Sequence, residues 1–174
     1  MKEPSTPADP YRLILGLTIF SIVSGSALLI FGLSFLKGAY TSQGWPIAQG
    51  DVKAVNINRD RITDSSPPAY TYTYTVVYTY DVDGNRYQRD RYSLGSGPTA
   101  SRAYREQQNA IAAAKETYSI GQSIDVYYNP NSPADAVLKP GANIGTFVPL
   151  IFGIVLFSSG IGLFMLAQRV AANS

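Results

Sequence analysis

Two uninterrupted apolar runs flank a central region in which polar and apolar residues alternate. Leu13–Leu36 and Ile144–Ala167 contain no charged side chain. A helix rises about 1.5 Å per residue, so each run is long enough to cross a hydrocarbon layer of about 30 Å. We therefore predict an N-terminal tail at residues 1–12, transmembrane helices at 13–36 and 144–168, a membrane-proximal domain at 37–143 and a C-terminal tail at 169–174.

The first apolar run has a competing interpretation as a signal peptide. Gly25-Ser26-Ala27 has the small side chains of a cleavage site, but the apolar segment Leu28–Phe31 follows at once. Cleavage there would leave an apolar end, so we expect the helix to be retained. Two spans then place both termini on one side of the membrane. Lys and Arg near the membrane are equally numerous on the two sides, so they do not decide the orientation. We expect the plasma (inner) membrane, with cytosolic termini.

The polar residues inside the two runs are serines and threonines, without any Asp, Glu, Lys or Arg. Their absence argues against a proton relay or a voltage sensor, which usually need ionisable groups within the membrane. The pairs Ser21/Gly25 and Ser158/Gly162 are small residues four positions apart, a spacing that lets helices approach closely. We expect these pairs either to join the two helices of one chain or to form a homo-oligomeric interface.

The clearest β signal is the segment Tyr70–Val82, in which Tyr and Val alternate with Thr. Period-two alternation of such residues is typical of a strand. Asp83-Gly84-Asn85 predicts a tight turn and Arg86–Leu94 a return strand. A two-residue loop at Asp83-Gly84 pairs Val82 with Asn85, whereas one at Gly84-Asn85 shifts the register by one. Both registers place the same side chains on one face of the hairpin: Tyr78, Tyr80, Tyr87, Arg89 and Arg91.

Aromatic rings and cations on one face allow two interpretations. The face could bind an anionic ligand or a lipid headgroup. Alternatively, the guanidinium groups stack on tyrosine rings at the edge of an ordinary core, which stabilises by about 0.5–2 kcal/mol per contact. We favour the structural interpretation, and the sequence does not decide which face is the core.

The remaining pattern predicts a strand at 51–57, an amphipathic helix at 99–118 and further strands at 123–128 and 136–138. Ala103, Ile111, Ala114 and Tyr118 recur at helical spacing and predict an apolar stripe that packs on a sheet. The predicted fold class is an α+β membrane protein. Two transmembrane helices flank a small antiparallel β-rich domain, either a sheet or a partial barrel, with one amphipathic helix.

Composition narrows the chemistry. The chain has no His and no Cys, and its formal net charge is +2. These absences exclude a Ser-His-Asp triad and thiolate or imidazole metal sites. The acidic cluster around Asp81 and Asp83 fits a hairpin turn better than a calcium loop. We therefore expect no catalytic residues, no metal, no cofactor and no enzymatic activity, and the small charge does not favour nucleic acid.

Segment 118–133 carries a family resemblance. A strand led by Gly121 ends in Tyr-Asn-Pro and an Asn/Pro turn follows, then Ala136-Val137-Leu138 and Gly141. This order resembles the membrane family called domain of unknown function 3592, over most of residues 45–165. One departure is Ser132, which separates Asn131 from Pro133 where the family has Asn-Pro directly. The resemblance implies two membrane helices around a β-rich domain and implies no activity or site residues.

Together these observations predict a non-enzymatic, membrane-anchored interaction or assembly module. We expect it to contact membrane lipid, to bind a protein partner or itself, and not to bind nucleic acid. The alternatives are a homo-oligomeric transport or channel subunit and a protein that binds anionic lipid.

Overall fold

The computed structural model describes residues 10–172, so residues 1–9 of the predicted N-terminal tail and 173–174 of the predicted C-terminal tail lie outside it. Its elements are α1 (Pro10–Thr41), β1 (Ile47–Arg61), β2 (Tyr70–Val82), β3 (Asn85–Arg89), α2 (Gln107–Thr117), β4 (Ser123–Asn129), β5 (Ser132–Val137) and α3 (Ile144–Ala172). Apolar helices thus flank a five-stranded antiparallel sheet with one small helix, which confirms the predicted α+β arrangement. The chain divides into two compact units, one holding most of α1 and α3 and the other spanning Lys37–Thr146.

Both α1 and α3 are long and apolar enough to cross a membrane. Their large side chains point outward, and the buried positions are small residues. These recur every seven residues as Thr18, Gly25, Gly32 and Ala39 in α1, and as Thr146, Gly153, Gly160 and Ala167 in α3. A seven-residue period keeps one face of a helix turned toward a partner over many turns.

At these glycines the two backbones approach so closely that there is no room for a side chain. A Cβ atom added to Gly25 would lie 2.6 Å from the backbone N of Phe157, and one added to Gly153 would lie 2.8 Å from that of Leu29. Gly32 meets Leu150 in the same way. Positions that rise along α1 meet positions that fall along α3, so the helices are antiparallel.

This contact confirms part of the predicted helix-packing set and corrects the rest. Gly25 lies at the closest approach, and Ser21 is buried beside Gly160. Ser158 is exposed, and a Cβ on Gly162 would meet nothing within 4 Å, so the prediction that these two residues pack against α1 is wrong. The reason is that the seven-residue row through Gly153 and Gly160 turns Ser158 and Gly162 away from α1.

The strands lie in the order β3-β2-β1-β4-β5, and every neighbouring pair is antiparallel. β1 is the central strand, because its first part pairs with β4 and most of its length pairs with β2. A register shift between Val52 and Ala54 marks a bulge at Lys53. The extra residue reverses the alternation, so that Val52 before it and Val55 and Ile57 after it face the same side.

The two outer strands of the sheet come together without forming a regular ladder. The Arg89 Nε–H of β3 donates to the carbonyl of Ala134 in β5, and the Tyr92 carbonyl accepts from the N–H groups of Leu138 and Lys139. The contacts advance in the same direction along both segments, so the closure is parallel. This strand order, with a helix between the third and fourth strands, is that of the OB-fold, a partly open five-stranded barrel.

The predicted helix at 99–118 begins eight residues later than expected, at Gln107. Residues 99–104 lie against β2 instead, through isolated bridges at Thr99 and Tyr104, because β3 covers only one end of β2. The Tyr72 and Tyr104 backbones exchange two hydrogen bonds of 2.8 Å, and the Ala100 N–H donates to the Tyr74 carbonyl. Ala114 packs in a core cluster with residues of the sheet, as predicted, and Ala110, which lies outside the predicted stripe, is buried as well.

Candidate functional site

The hairpin adopts the first of the two predicted registers. Val82 pairs with Asn85, Tyr80 with Tyr87 and Tyr78 with Arg89. The Asp83 and Gly84 residues of the turn both have positive φ, as a two-residue hairpin loop of this kind requires. The return strand ends at Arg89 and not at Leu94, and beyond it the Tyr92 carbonyl accepts hydrogen bonds from Leu138 and Lys139, just after β5.

The aromatic face of this hairpin is the interior of the barrel. Tyr78 and Tyr80 are 0% and 1% exposed, so the interpretation of these two rings as a ligand-binding surface is wrong. The Tyr80 ring stacks on Tyr87 at a centroid distance of 5.5 Å. The core side is set by the even-numbered positions of β2, of which Tyr74, Val76, Tyr78, Tyr80 and Val82 are buried in the core clusters.

The hydroxyl groups of the two buried tyrosines also help to close the barrel. The Tyr78 hydroxyl donates to the Arg91 and Ala136 carbonyls, at 2.8 and 3.2 Å, and the Tyr80 hydroxyl donates to the Pro133 carbonyl at 2.6 Å. Burial raises the pKa of Tyr78 well above its usual value and that of Tyr80 to about 12. The raised pKa values reflect desolvation in a core, and these phenols act as structural donors at neutral pH.

Arg89 and Arg91 line a cleft of about 350 Å³ beside β5, together with Asp90 and Asp135. Arg91 forms an ion pair of 3.0 Å with Asp135. The Arg89 guanidinium donates to the backbone carbonyls of Ala134 and Gln88. Two cations and two carboxylates balance each other in this cleft. That balance weakens the interpretation of Arg89 and Arg91 as a site for an anionic ligand or headgroup.

The outer face of β2 and β3 is where OB-folds commonly bind oligonucleotides and oligosaccharides. In this chain the side chains on that face are Thr, Val, Asp, Arg and Gln, and two of them, Thr75 and Thr79, are buried: Thr71, Thr73, Thr75, Val77, Thr79, Asp81, Arg86 and Gln88. Single-stranded nucleic acids are held largely by stacking on aromatic rings. Neither strand presents an aromatic ring on this face, so it lacks that means of binding.

A groove that sequence reasoning missed lies between β1 and α2. It has a volume of about 490 Å³, and its lining is mostly apolar: Val55, Ile57, Ile111, Ala114, Lys115, Tyr118, Ser119 and Ile120. Ile120 is 76% exposed at its rim. The apolar stripe Ile111/Ala114/Tyr118 was visible in the sequence, but we interpreted it as a face packed on a sheet. Only the long, bulged β1 shows that part of the stripe stays open.

The two connections to the apolar helices are tied to the domain by polar contacts. The Ser42 Oγ–H donates to the Ala39 carbonyl, and Ser42 Oγ accepts from the Gly141 N–H at 2.9 Å. Asn143 precedes α3, and its side-chain amide donates to the hydroxyls of Ser93 and Ser96. This network fixes the first residues of α3 to the loop after β3.

Among the described residues no group of three or more Asp and Glu side chains is arranged to hold a metal ion. The ionisable groups with the largest pKa shifts are the core tyrosines Tyr78 and Tyr80 and the partly buried Tyr118.

A family model described as domain of unknown function (DUF3592) matches residues 48–143, more than half of the chain. The match covers the β-rich domain and confirms the resemblance inferred from residues 118–141. It ends before α3, so it is narrower than the range expected from the sequence. No curated protein matches the chain.

Proposed function

The chain belongs to the DUF3592 family, whose description names no activity, and we propose that it is a non-enzymatic, membrane-anchored interaction or assembly module. The observation that carries the proposal is the distribution of apolar surface. Large apolar side chains cover the outer faces of α1 and α3, and the domain between them keeps a further open apolar groove. Exposed apolar surface of this extent marks contact with a membrane or with another protein.

A lipid bilayer is the surrounding that best suits α1 and α3. Only 17% of the apolar window of each helix is buried within the chain, and residues such as Phe20 and Ile30 are more than 60% exposed. Water would penalise that surface strongly, whereas hydrocarbon would not. We propose the plasma (inner) membrane, with both termini in the cytosol and Lys37–Thr146 on the opposite side.

The absence of native Cys makes this topology directly testable. Single cysteines would be introduced by Ser119→Cys in the domain and Ala171→Cys near the C-terminus. A membrane-impermeant maleimide applied to intact cells should label the first and not the second. Labelling of only the second variant would reverse the orientation, and labelling of both would contradict a two-span topology.

A binding role fits the chemistry of the domain better than catalysis does. Its buried phenols donate to backbone carbonyls, and its exposed carboxylates at Asp81 and Asp135 are paired with arginines. The apolar groove, in contrast, has solvent access and apolar walls that nothing in the described chain covers. Such a groove offers mainly apolar surface for binding.

In-cell cross-linking followed by purification in mild detergent and mass spectrometry tests the interaction role. The full chain is compared with a variant that lacks residues 45–142 and retains both helices. We expect a stoichiometric protein partner that is lost with the domain. Cross-links only between copies of the chain would contradict the proposal and favour a homo-oligomeric transport or lipid-binding role.

A further inference from the structure

The second half of β1 is a free strand edge. Residues 47–51 pair with β4, and Val52 exchanges hydrogen bonds with the Gly121–Gln122 turn. In the described part of the chain, no backbone hydrogen bond joins residues 54–61 to anything but β2. The apolar groove lies along the same stretch, since Val55 and Ile57 belong to its lining.

The backbone groups that point away from β2 can be assigned from the end of the hairpin. The Ile62 N–H donates to the Ala69 carbonyl at 2.9 Å, so this is a hydrogen-bonded pair. Antiparallel ladders alternate strictly between hydrogen-bonded and non-hydrogen-bonded pairs. The N–H and C=O groups of Val55, Ile57, Arg59 and Arg61 are therefore directed toward the open side.

The side chains of these four residues share one face, because they are two positions apart in a strand. Val55 and Ile57 supply apolar groove wall, and Arg59 and Arg61 continue the same face as two cations. Lys115 is the charged residue of the groove lining. Asp60 lies on the opposite face of β1, and Glu116 lies on the side of α2 away from the groove residues at 111, 114, 115 and 118.

A free strand edge beside a face that is apolar at one end and cationic at the other is complementary to an extended peptide with apolar and acidic side chains. We propose that an extended, acidic segment of a partner protein pairs with β1 at residues 55–61 and adds a sixth strand to the barrel. Its apolar side chains lie opposite Val55 and Ile57, and its carboxylates lie opposite Arg59 and Arg61. This assignment rests on the proposed interaction role and specifies the partner for it.

Two other occupants fit less well. A second copy of β1 in symmetric antiparallel pairing can place only Val55, Ile57, Arg59 or Arg61 opposite this face, so no carboxylate would meet either arginine. A lipid chain could fill the apolar end, but it would leave the backbone donors and acceptors of the edge unpaired. A peptide strand satisfies both the groove and the edge.

Selection from a phage-displayed library of random peptides on the full chain in neutral-lipid nanodiscs tests the proposal. We expect enriched peptides with two apolar residues two positions apart and, in the same every-second-residue register, two Asp or Glu residues beside them. Arg59→Pro removes one outward N–H without touching the ladder to β2, and edge strands tolerate proline. It should weaken binding of the enriched peptides at least tenfold, whereas Arg59→Ala, which keeps the N–H, should weaken binding less.

If circular dichroism shows that the proline variant is misfolded, a charge-reversed chain still tests the proposal. Arg59→Glu combined with Arg61→Glu should shift the selected peptides from acidic to basic. The matched control Arg86→Glu changes an exposed arginine on β3 and should leave the selection acidic. Enrichment of peptides without acidic residues, or equal binding by all variants, would overturn the proposal.

Two further results distinguish a lipid ligand from a peptide, and a failure of strand addition from a failure of the proposed interaction role. A fluorescent fatty acid that occupies the groove equally well in Arg59→Pro, with no peptide enriched, would overturn the proposal and make the groove a lipid site. If no peptide is enriched but in-cell cross-linking still finds a domain-dependent partner, the strand-addition mode is wrong and the interaction role survives. If both experiments are negative, both proposals are wrong.

Discussion

The two units of this protein bury opposite kinds of residue. In the unit formed by α1 and α3, small residues such as Gly25 and Gly153 face inward, and the Leu, Ile and Phe side chains face outward. In the domain, large rings such as Tyr78 and Tyr80 face inward, and charged side chains cover much of the outside. The same chain therefore follows two opposite packing rules.

A bilayer around α1 and α3 and water around the domain would account for this difference. Water drives large apolar side chains into a core, as in the domain. Hydrocarbon provides no such drive, so helices associate through close backbone packing between small residues. An inverted pattern of this kind supports a bilayer around α1 and α3 and water around the barrel.

Alkaline pH should give the largest difference in stability between the two units, because it should unfold the domain and leave the helices folded. Burial raises the pKa of Tyr78, and raises those of Tyr80 and Tyr118 to about 12. In the unfolded chain these phenols ionise near pH 10, as free tyrosine does. The stability that they contribute is therefore complete below pH 10 and is lost as the pH rises through about 12. Tyrosinate absorbance and near-ultraviolet circular dichroism should show the domain unfolding in this range while far-ultraviolet helix signal persists.

The control for the alkaline transition is Tyr80→Phe, which removes one of the titrating groups and should make the loss of stability less steep. A near-ultraviolet spectrum that stays native after all tyrosines have ionised would contradict the assignment of Tyr78 and Tyr80 to the core.

Gly153→Leu should disrupt the helix unit. A Cβ at this position would lie 2.8 Å from the Leu29 backbone, so the helices must separate, and overpacking of this kind costs about 1–3 kcal/mol or more. Thermal unfolding in mild detergent measures the loss. Gly162→Leu is the matched control, because its side chain would enter open space. Equal destabilisation by both variants would contradict the antiparallel seam.

Tyr78→Phe should weaken the domain while leaving the helix unit intact. The change removes a hydroxyl from two buried carbonyls, those of Arg91 and Ala136, at a cost of about 1–3 kcal/mol. Urea unfolding followed by near-ultraviolet circular dichroism reports the effect. Tyr127→Phe, on a partly exposed ring, serves as control and should change stability far less. A neutral Tyr78→Phe would mean that its hydroxyl does not help to close the barrel.

Asn143→Ala tests the connection into α3. Its amide bonds to Ser93 and Ser96, and its carbonyl oxygen accepts from the Thr146 N–H at the helix start, so we expect a loss of about 0.5–2 kcal/mol. Amide hydrogen exchange should accelerate at Ser96 and Thr146. Asn131→Ala in the exposed β4–β5 turn provides the comparison, and unchanged exchange in Asn143→Ala would show that the contact is not stabilising.

Asp81→Asn should have the smallest effect. The Arg86 guanidinium, through its hydrogen bond, holds the pKa of Asp81 below its usual value. Both side chains are more than half exposed, and solvent screens such pairs. We expect an unchanged unfolding midpoint. A loss as large as that of Asn143→Ala would show that surface pairing matters to the barrel.

Local sequence patterns predicted the elements whose determinants lie close together in the chain. Alternation from Tyr70 to Val82 and the Asp83-Gly84 turn predicted a hairpin and limited it to two registers, one of which is observed. The helix start at Thr99 was wrong, because hydrogen bonds to the distant β2 hold residues 99–104 against that strand. Periodicity along the chain does not report a competitor that is far away in sequence.

The candidate sites were harder to predict for the same reason. The seven-residue spacing of Gly25 and Gly32, and of Gly153 and Gly160, is present in the sequence, but the four-residue pairs drew attention to Ser158 and Gly162 instead. The groove forms only when β1 and α2 lie side by side. The polar end of β1 beyond Asn58 lacks the apolar-polar alternation that predicts a strand, so its full length was not predicted.

The sequence by itself determined two apolar helices, an aromatic hairpin and the absence of His and Cys chemistry, because hydrophobic periodicity, turn residues and composition are local quantities. Only the tertiary structure decided which side of the hairpin is the core, which small residues join α1 to α3, and that half of β1 remains an open edge. Each of these depends on which surfaces meet, and that is set by the packing of segments far apart in the chain.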